Sequence, residues 1–217
     1  MARDSSDTTP IESRDALVAY LEAGSKPRAR FRIGTEHEKF VFRTADLAPV
    51  TYEGPRGIEA LLRGLRHLLG WEAILDEGRI IGLADPIGGG AISLEPGGQF
   101  ELSGAPVVSL HDTHREVVAH RAQVREIGRA LGLSFLGMGF SPLWSRAETP
   151  AMPKGRYAIM SRYMPKVGGK GLDMMYRTST VQVNLDFASE ADMARKMRVS
   201  LALQPVASAP VSYTHLA

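Results

Sequence analysis

The stretch Thr180-Val181-Gln182-Val183-Asn184-Leu185-Asp186-Phe187 alternates polar and apolar residues over its whole length. A β-strand points successive side chains to opposite faces. The pattern therefore predicts a strand with Thr180, Gln182, Asn184 and Asp186 on one face and an apolar row on the other. Two further segments repeat the design. Gly34-Thr35-Glu36-His37-Glu38-Lys39-Phe40 places Glu36 and Glu38 together, and Ile92–Leu102 places Gln99 and Glu101 together. Amphipathic strands of this kind point to a mostly antiparallel sheet with one exposed face and helices behind it, an α+β fold.

Around these strands the chain alternates helical and extended patterns. Thr9-Pro10 opens a predicted helix whose buried stripe is Leu17, Tyr20 and Leu21, with Gly24 as its stop. A single strand is expected over about 31–43. Ile58, Leu61, Leu62, Leu65 and Leu68 follow helical spacing over about 57–69. Short strands are expected near 71–75 and 79–83, and Asp85–Gly90 reads as a flexible loop. A long helix over about 109–131 turns Val117, Val118, His120, Val124, Ile127 and Leu131 inward, and a short strand follows at 134–140. Residues 141–172 carry several Pro and Gly and little periodicity, which reads as a long functional loop. A last helix opens at Ser189, with Asp192 completing a variant capping box, and Pro205 is expected to end or kink it.

Composition narrows the function. The chain has 217 residues, 44% of them hydrophobic, and a formal net charge of only +2. That near balance gives no argument for nucleic acid or an anionic membrane as partner. There is no cysteine, so disulfides and thiolate metal sites are excluded. No apolar run reaches the ~18–20 residues of a membrane helix. The polar start lacks the apolar core of a secretory signal, so a cytoplasmic location is expected. Residues 1–8 are expected to fray.

A sheet face lined by carboxylates is costly unless something cationic binds there. Glu36, Glu38, Glu95 and Glu101, with the amide of Gln99, would repel one another in one cavity unless divalent ions neutralised them. Mg²⁺ takes one or two carboxylates and leaves its other positions to water or phosphate oxygens, so this many acids suggests more than one ion and a polyphosphate substrate. Pro96-Gly97-Gly98 makes a tight turn that re-aims Glu95 and Gln99. His37 should point to the face opposite the two glutamates, as a core histidine. Lys154, Arg156 and Tyr157 sit in a Gly/Pro-shaped basic loop, and Arg177 immediately precedes the polar-faced strand. Arginine suits bidentate recognition of carboxylate or phosphate. Met174 and Met175 read as packing residues, and a methionine can also line an adaptable substrate pocket. Clustered acids suit a two-metal phosphohydrolase as well, but such sites usually add His and Asp ligands, and here the acids are mainly Glu.

Taken together, IGTEHEKF (33–40), ISLEPGGQFELSG (92–104), MPKGRY (152–157), YMPKVG (163–168) and LDMMYRTSTVQVNLDF (172–187) closely resemble glutamate–cysteine ligase of the plant and proteobacterial type. The resemblance runs in order from about residue 12 to 209 and covers the N-terminal half of that family's catalytic chain. It implies a glutamine-synthetase-like, curved, mostly antiparallel sheet with helices packed on one face. It also implies ATP and Mg²⁺ as cofactors, glutamate and cysteine as substrates, and γ-glutamylcysteine as product by way of a γ-glutamyl phosphate. By family position, Glu36, Glu38, Glu95 and Glu101 would bind metal and Gln99 and Lys154 the nucleotide. Arg156, Tyr157, Met175, Gln182 and Asn184 would line the substrate pocket, and Arg156 and Arg177 would stabilise charge in the reaction. Residues 9–209 would form the N-terminal part of one catalytic domain, with 210–217 a foreign tail, so that this chain alone is expected to be an inactive fragment. A relative that joins glutamate to another amine would share these motifs, because acceptor choice rests on a few pocket side chains.

Overall fold

The structure is a computed structural model that describes residues 9–212. The chain divides into two compact units, one holding Ile33–Asn184 and the other the residues before and after it, 9–32 and 185–212.

The larger unit is built on an antiparallel sheet. Its strands are β1 (Ile33–His37), β3 (Glu72–Asp76), β4 (Arg79–Ala84), β5 (Ala91–Leu94), β6 (Phe100–Ser103) and β8 (Val181–Leu185), in the order β3-β4-β5-β6-β1-β8. A second, two-stranded sheet pairs β2 (Phe40–Arg43) with β7 (Leu133–Leu136). Two helices supply much of the core, α2 (Ile58–Leu69) and α3 (Leu110–Leu131). Ile58, Leu61, Leu62 and Leu65 of α2 are fully buried among Leu83, Ile92, Leu94 and Phe100. Gly70 ends α2 in the left-handed conformation at φ 70°, where a glycine carries no steric penalty. Ser109 and Asp112 form a complete capping box at the start of α3.

The strand expected over 31–43 is two strands in two different sheets. The break falls at Glu38-Lys39: Glu38 donates its backbone N–H to Thr180 O at 3.0 Å, and Lys39 exchanges both backbone hydrogen bonds with Phe100, at 3.0 and 2.8 Å. From Phe40 onward the partner is Leu136 of β7. The region 141–172, expected to be irregular, holds α4 (Gly155–Val167) and the start of α5 (Gly171–Arg177). Tyr157, Met160 and Met164 recur at helical spacing there, and the density of Pro and Gly around them masked it. Asp76 accepts from the Gly155 N–H at 2.8 Å, which places a carboxylate on the N-terminus of α4. Pro165 is accommodated in the last turn of that helix. The strand expected over 134–140 stops at Leu136.

In the smaller unit, α1 (Arg14–Ala23) is capped by Ser13, whose side chain accepts from Ala16 N, and not by Thr9. Its expected buried stripe is not buried: Leu17, Tyr20 and Leu21 are exposed. Helix α6 (Glu190–Ser212) opens as expected, with Asp192 N donating to Ser189 Oγ at 3.2 Å. It continues through Pro205 to Ser212, so the lost donor of that proline and its crowding of the carbonyl four residues back do not end the helix. Asp186 does not join the polar row of β8. Its carboxylate instead accepts from Lys26 Nζ at 2.7 Å and from Arg32 N at 2.9 Å. Residues 1–8, expected to fray, and residues 213–217 of the tail expected over 210–217 lie outside the described residues.

The burial pattern of α2 yields a direct test. Leu62→Ala should lower the unfolding free energy by ~2–5 kcal/mol, as for other fully buried leucines, while Leu68→Ala, at a 39% exposed position, should cost well under that. Urea denaturation of the two variants beside the wild type checks both values.

Candidate functional site

Strand register decides which side chains share a face. In an antiparallel pair, directly opposed residues point to the same side. Glu36 opposes Ser103, Ser93 opposes Glu101, and His37 opposes Leu102. Since Glu101 and Ser103 are two apart on β6, Glu36, Ser93, Glu101 and Ser103 line one face of the sheet. Phe100, one residue before Glu101, lies on the other face, where its ring stacks on His120 of α3 at 6.4 Å. The alternation predicted from sequence is therefore present. His37 lies on the α3 side with Phe100, as expected of it.

The turn after β5 aims the remaining groups. Glu95 N donates to Gln99 O and Gly98 N donates to Glu95 O, each at 2.9 Å. Gly98 has φ +81°, and a Cβ on Gly97 would stand 2.4 Å from Tyr176 O. Both glycines are thus required by the backbone, one by its dihedral and one by a close approach. Gln99 is buried and heavily committed. Its amide donates to Met175 O at 3.2 Å and Thr178 O at 2.6 Å, and its carbonyl oxygen accepts from Gly97 N at 2.8 Å. It ties the turn to the end of α5.

The acids are held by neutral donors. Thr180 N and Oγ1 donate to the two oxygens of Glu38 at 2.9 and 3.0 Å, and Asn184 Nδ2 donates to Glu36 Oε1 at 3.0 Å. Ser103 Oγ donates to Glu101 Oε1. Arg156 stands 4.0 Å from Glu95 in an ion pair, and the charge of Lys154 also acts on that carboxyl. Burial, followed by the charge of Glu101, pushes the Glu95 carboxyl up to about 7. Glu38 is raised as well, first by burial, against the lowering effect of its Thr180 bonds, with Glu101 and Glu36 adding repulsion.

A cavity of 580 Å³ opens between this turn, α4, α5 and β8, lined by Glu38, Glu95, Gln99, Arg156, Tyr157 and Met175, and also by Gln182. Its size falls within the range of small-molecule sites. Tyr157 is buried, donates to Leu94 O at 2.5 Å and lies under the Arg156 guanidinium at 5.1 Å. Burial and the charge of Glu95 hold its phenol well above the ordinary range.

Several predicted residues do other work here. Lys154 is buried and donates to Leu94 O at 3.0 Å. Arg177 does not line this cavity: it lies over the Phe140 ring at 4.4 Å and 3.6 Å from Asp173. Asn184 reaches Glu36 rather than the cavity. Sequence reasoning missed Met160 and Thr178 as wall residues, and named Met174 only as a packing residue and Thr180 only as part of the polar row. For the first, the missing step was recognising α4 as a helix. For Thr180, its place next to Glu38 depends on a pairing between strands 142 residues apart.

The donor chemistry of the face suits a hard divalent cation, being carboxylate oxygens, two of which, Glu38 and Glu95, are raised first by burial and then by neighbouring acids. Among the described residues, no three His, Asp or Glu side chains stand close enough to grip an ion by themselves. Mg²⁺ does not require three, since it commonly keeps water or phosphate oxygens.

The model of the glutamate–cysteine ligase family 2 matches residues 32–211. Over 202 residues the chain is 55% identical to the chloroplastic glutamate–cysteine ligase A of Oryza sativa subsp. japonica, covering 93% of this chain and 40% of that protein. It is 54% identical to the chloroplastic glutamate–cysteine ligases of Medicago truncatula and Arabidopsis thaliana over the same length, covering 39% and 38% of them. The chain thus spans about two fifths of the length of these curated relatives. The cytoplasmic location expected from composition is overturned by these relatives, which are chloroplastic proteins.

The raised Glu95 carboxyl gives a prediction with a definite sign. Its folded value of about 7 lies above the ordinary 4.5, so between those pH values the folded state holds more protons than the unfolded one. Stability from this group is therefore present at low pH and lost as pH rises from about 4.5 to about 7. His120, lowered by burial to about 3 from 6.5, acts in the opposite direction and loses its contribution as pH falls below 6.5. Subtracting the wild type from Glu95→Gln isolates Glu95. In chelator, the variant should gain on the wild type as pH rises through 4.5–7, in thermal melts at each pH, and a pH-independent difference would refute the coupling.

Proposed function

We propose a function from one premise: the chain belongs to the glutamate–cysteine ligase family 2. The chain furnishes one wall of a site that ligates the γ-carboxyl of glutamate to the amine of cysteine at the expense of ATP. The observation that carries this reading is the cavity in which two half-buried, mutually repelling glutamates, Glu38 and Glu95, face an arginine stacked on a tyrosine. A phosphoryl transfer of this kind needs charge neutralisation and positioning, with little covalent work for the protein.

Glu36, Glu38, Glu95 and Glu101 would hold Mg²⁺, which when bound supplies positive charge against the phosphate oxygens of ATP. Arg156, stacked on Tyr157, presents its guanidinium to the cavity that Glu38 and Glu95 line, but not Glu36 or Glu101, for a substrate carboxylate or phosphate. Met175 and Gln182 complete the substrate wall. Gln99, Lys154 and Asn184 act by position. The first ties the turn to α5, the second fills the space behind Leu94, and the third holds Glu36. Arg177 is taken to act on charge only if its contact with Asp173 opens. The antiparallel sheet with one acidic face supports a glutamine-synthetase-like funnel, of which residues 9–209 would be the N-terminal part. The relatives' names favour cysteine as the acceptor over other amines.

The test has two arms. In the 217-residue chain, Mg²⁺ should raise the melting temperature saturably, and Glu36→Gln or Glu95→Gln should remove the effect. In a polypeptide of the relatives' full length carrying this segment, phosphate release should require glutamate and cysteine together, and mass spectrometry should find γ-glutamylcysteine. Phosphate release without glutamate, or equal rates with a panel of other amines, would overturn the reading. Arg156→Gln should lower the rate by on the order of 10²-fold, as loss of a charge-stabilising donor does elsewhere.

A further inference from the structure

On the α3 side of the sheet, behind the acidic face, lies a second cavity of 480 Å³ whose charged lining is mostly positive. Lys39 enters it from the break between β1 and β2, and Arg121 and Arg125 enter it from α3. The two arginines are four apart on one helix, so they are neighbours about 5–6 Å apart at their Cβ atoms, a like-charge pairing that is unfavourable in isolation. Among the described residues, neither makes an ion pair with a carboxylate. Their repulsion extends to Lys39, whose ammonium feels the charge of Arg121.

The groups facing the two arginines do not neutralise them, whereas Lys39 donates to His37 O at 2.9 Å and is drawn up by Glu101 more than it is lowered by Arg121. Glu38 is the one carboxylate in the lining, and both of its oxygens accept from Thr180. His37 also lines the cavity, and its Nε2 is buried without a hydrogen-bond partner. The remaining wall is apolar, with Val124 and Phe135 among its members. Converging cations, a spare buried polar atom and an apolar side describe a place for an anion with a small organic body. The volume exceeds what one inorganic ion fills and falls within the range of small-ligand pockets.

We propose that this cavity binds a small, multiply charged oxyanion, a phosphate or paired carboxylates, gripped by Arg121 and Arg125 with Lys39 at its floor. The fork geometry of two guanidinium groups suits both oxyanion classes and holds them bidentately. The site lies across the sheet from the acidic cavity, and the two share the walls Glu38 and Val181. The proposal does not rest on the ligase reading.

Two probes distinguish a bare anion from an organic one: inorganic phosphate and 3-phosphoglycerate, titrated calorimetrically into the 217-residue chain without divalent metal. At least one should bind saturably, more weakly as salt is raised. Arg121→Gln/Arg125→Gln should weaken that binding at least tenfold. Both positions are exposed on α3 and glutamine is a good helix former, so the fold should persist, which circular dichroism verifies. Arg121→Gln alone, the milder change, should give an intermediate loss. Arg156→Gln, on the acidic face, should leave binding as it is. The proposal is overturned by an absence of saturable binding to both probes, by binding that survives the double substitution, or by binding that disappears with Arg156→Gln.

Discussion

The exchange of backbone hydrogen bonds between Lys39 and Phe100 is the constraint from which the larger unit is organised. It continues the register that sets Glu36 against Ser103 and His37 against Leu102. A slip of one residue would turn every side chain of β1 to the opposite face. Glu36 would then meet the apolar packing around α3, and His37 would join the acids. One residue past the exchange, Phe40 pairs with Leu136 in the other sheet. Lys39 thus closes one sheet and opens the next, and Phe100 opposite it packs against both His120 and Phe135. Backbone pairing and core packing fix the same register from the two sides.

With that register set, the site is assembled by turns and clamps more than by strands. The Glu95–Gln99 turn holds its shape through two backbone hydrogen bonds and two glycines that tolerate no replacement. Gln99 then spends its amide on Met175 and Thr178, 76 and 79 residues away. Those bonds bring the end of α5 to the turn and close the cavity over the acids. Thr180 and Asn184 attach the edge strand to Glu38 and Glu36. The glutamates therefore serve as structural acceptors as they stand, and a metal would compete with neutral donors for them rather than with other cations.

Much of this was legible in the chain. Alternation gave the strands and their polar rows, and the spacing of Ile58, Leu61, Leu62 and Leu65 gave the buried face of α2, because both patterns follow from local geometry. The break at Glu38-Lys39 was not legible, since an unbroken period-two pattern runs through it and only the partners on either side differ. Helix α4 was obscured because Gly155 and Pro165 sit at its ends, where they are tolerated, yet read as loop signals. Leu17, Tyr20 and Leu21 show the reverse error: helical spacing was right, but periodicity names the face that can be buried and not what covers it. The roles of Lys154, Arg177 and Asn184 were beyond sequence for a related reason. A cation or amide in a motif is chemically able to bind a ligand, and only the fold shows that Leu94, Asp173 and Glu36 already engage it.

The charges of the larger unit are sorted by the sheet itself. Glu36 and Glu101 lie on one face of β1 and β6, while Lys39 points to the face of His37 and Phe100, toward Arg121. Successive residues on a strand cannot share a side, so alternating Glu-His-Glu-Lys separates the signs without any further device. The separation has an electrostatic consequence. Burial lowers Lys39 to about 8 while Glu101 and Glu38 pull it back up through the sheet, and burial with Glu101 lifts Glu95 to about 7. Each side therefore carries groups whose charged form is disfavoured where it stands and is relieved only by opposite charge. His120, packed against Phe100 on the α3 side and held neutral by burial and by Lys39, adds no cation there. A metal on the acidic face would withdraw the support that Glu101 and Glu38 give Lys39, and an anion at Arg121 would return it. The shared strand thus makes the two faces electrically dependent on each other, with no change of backbone required.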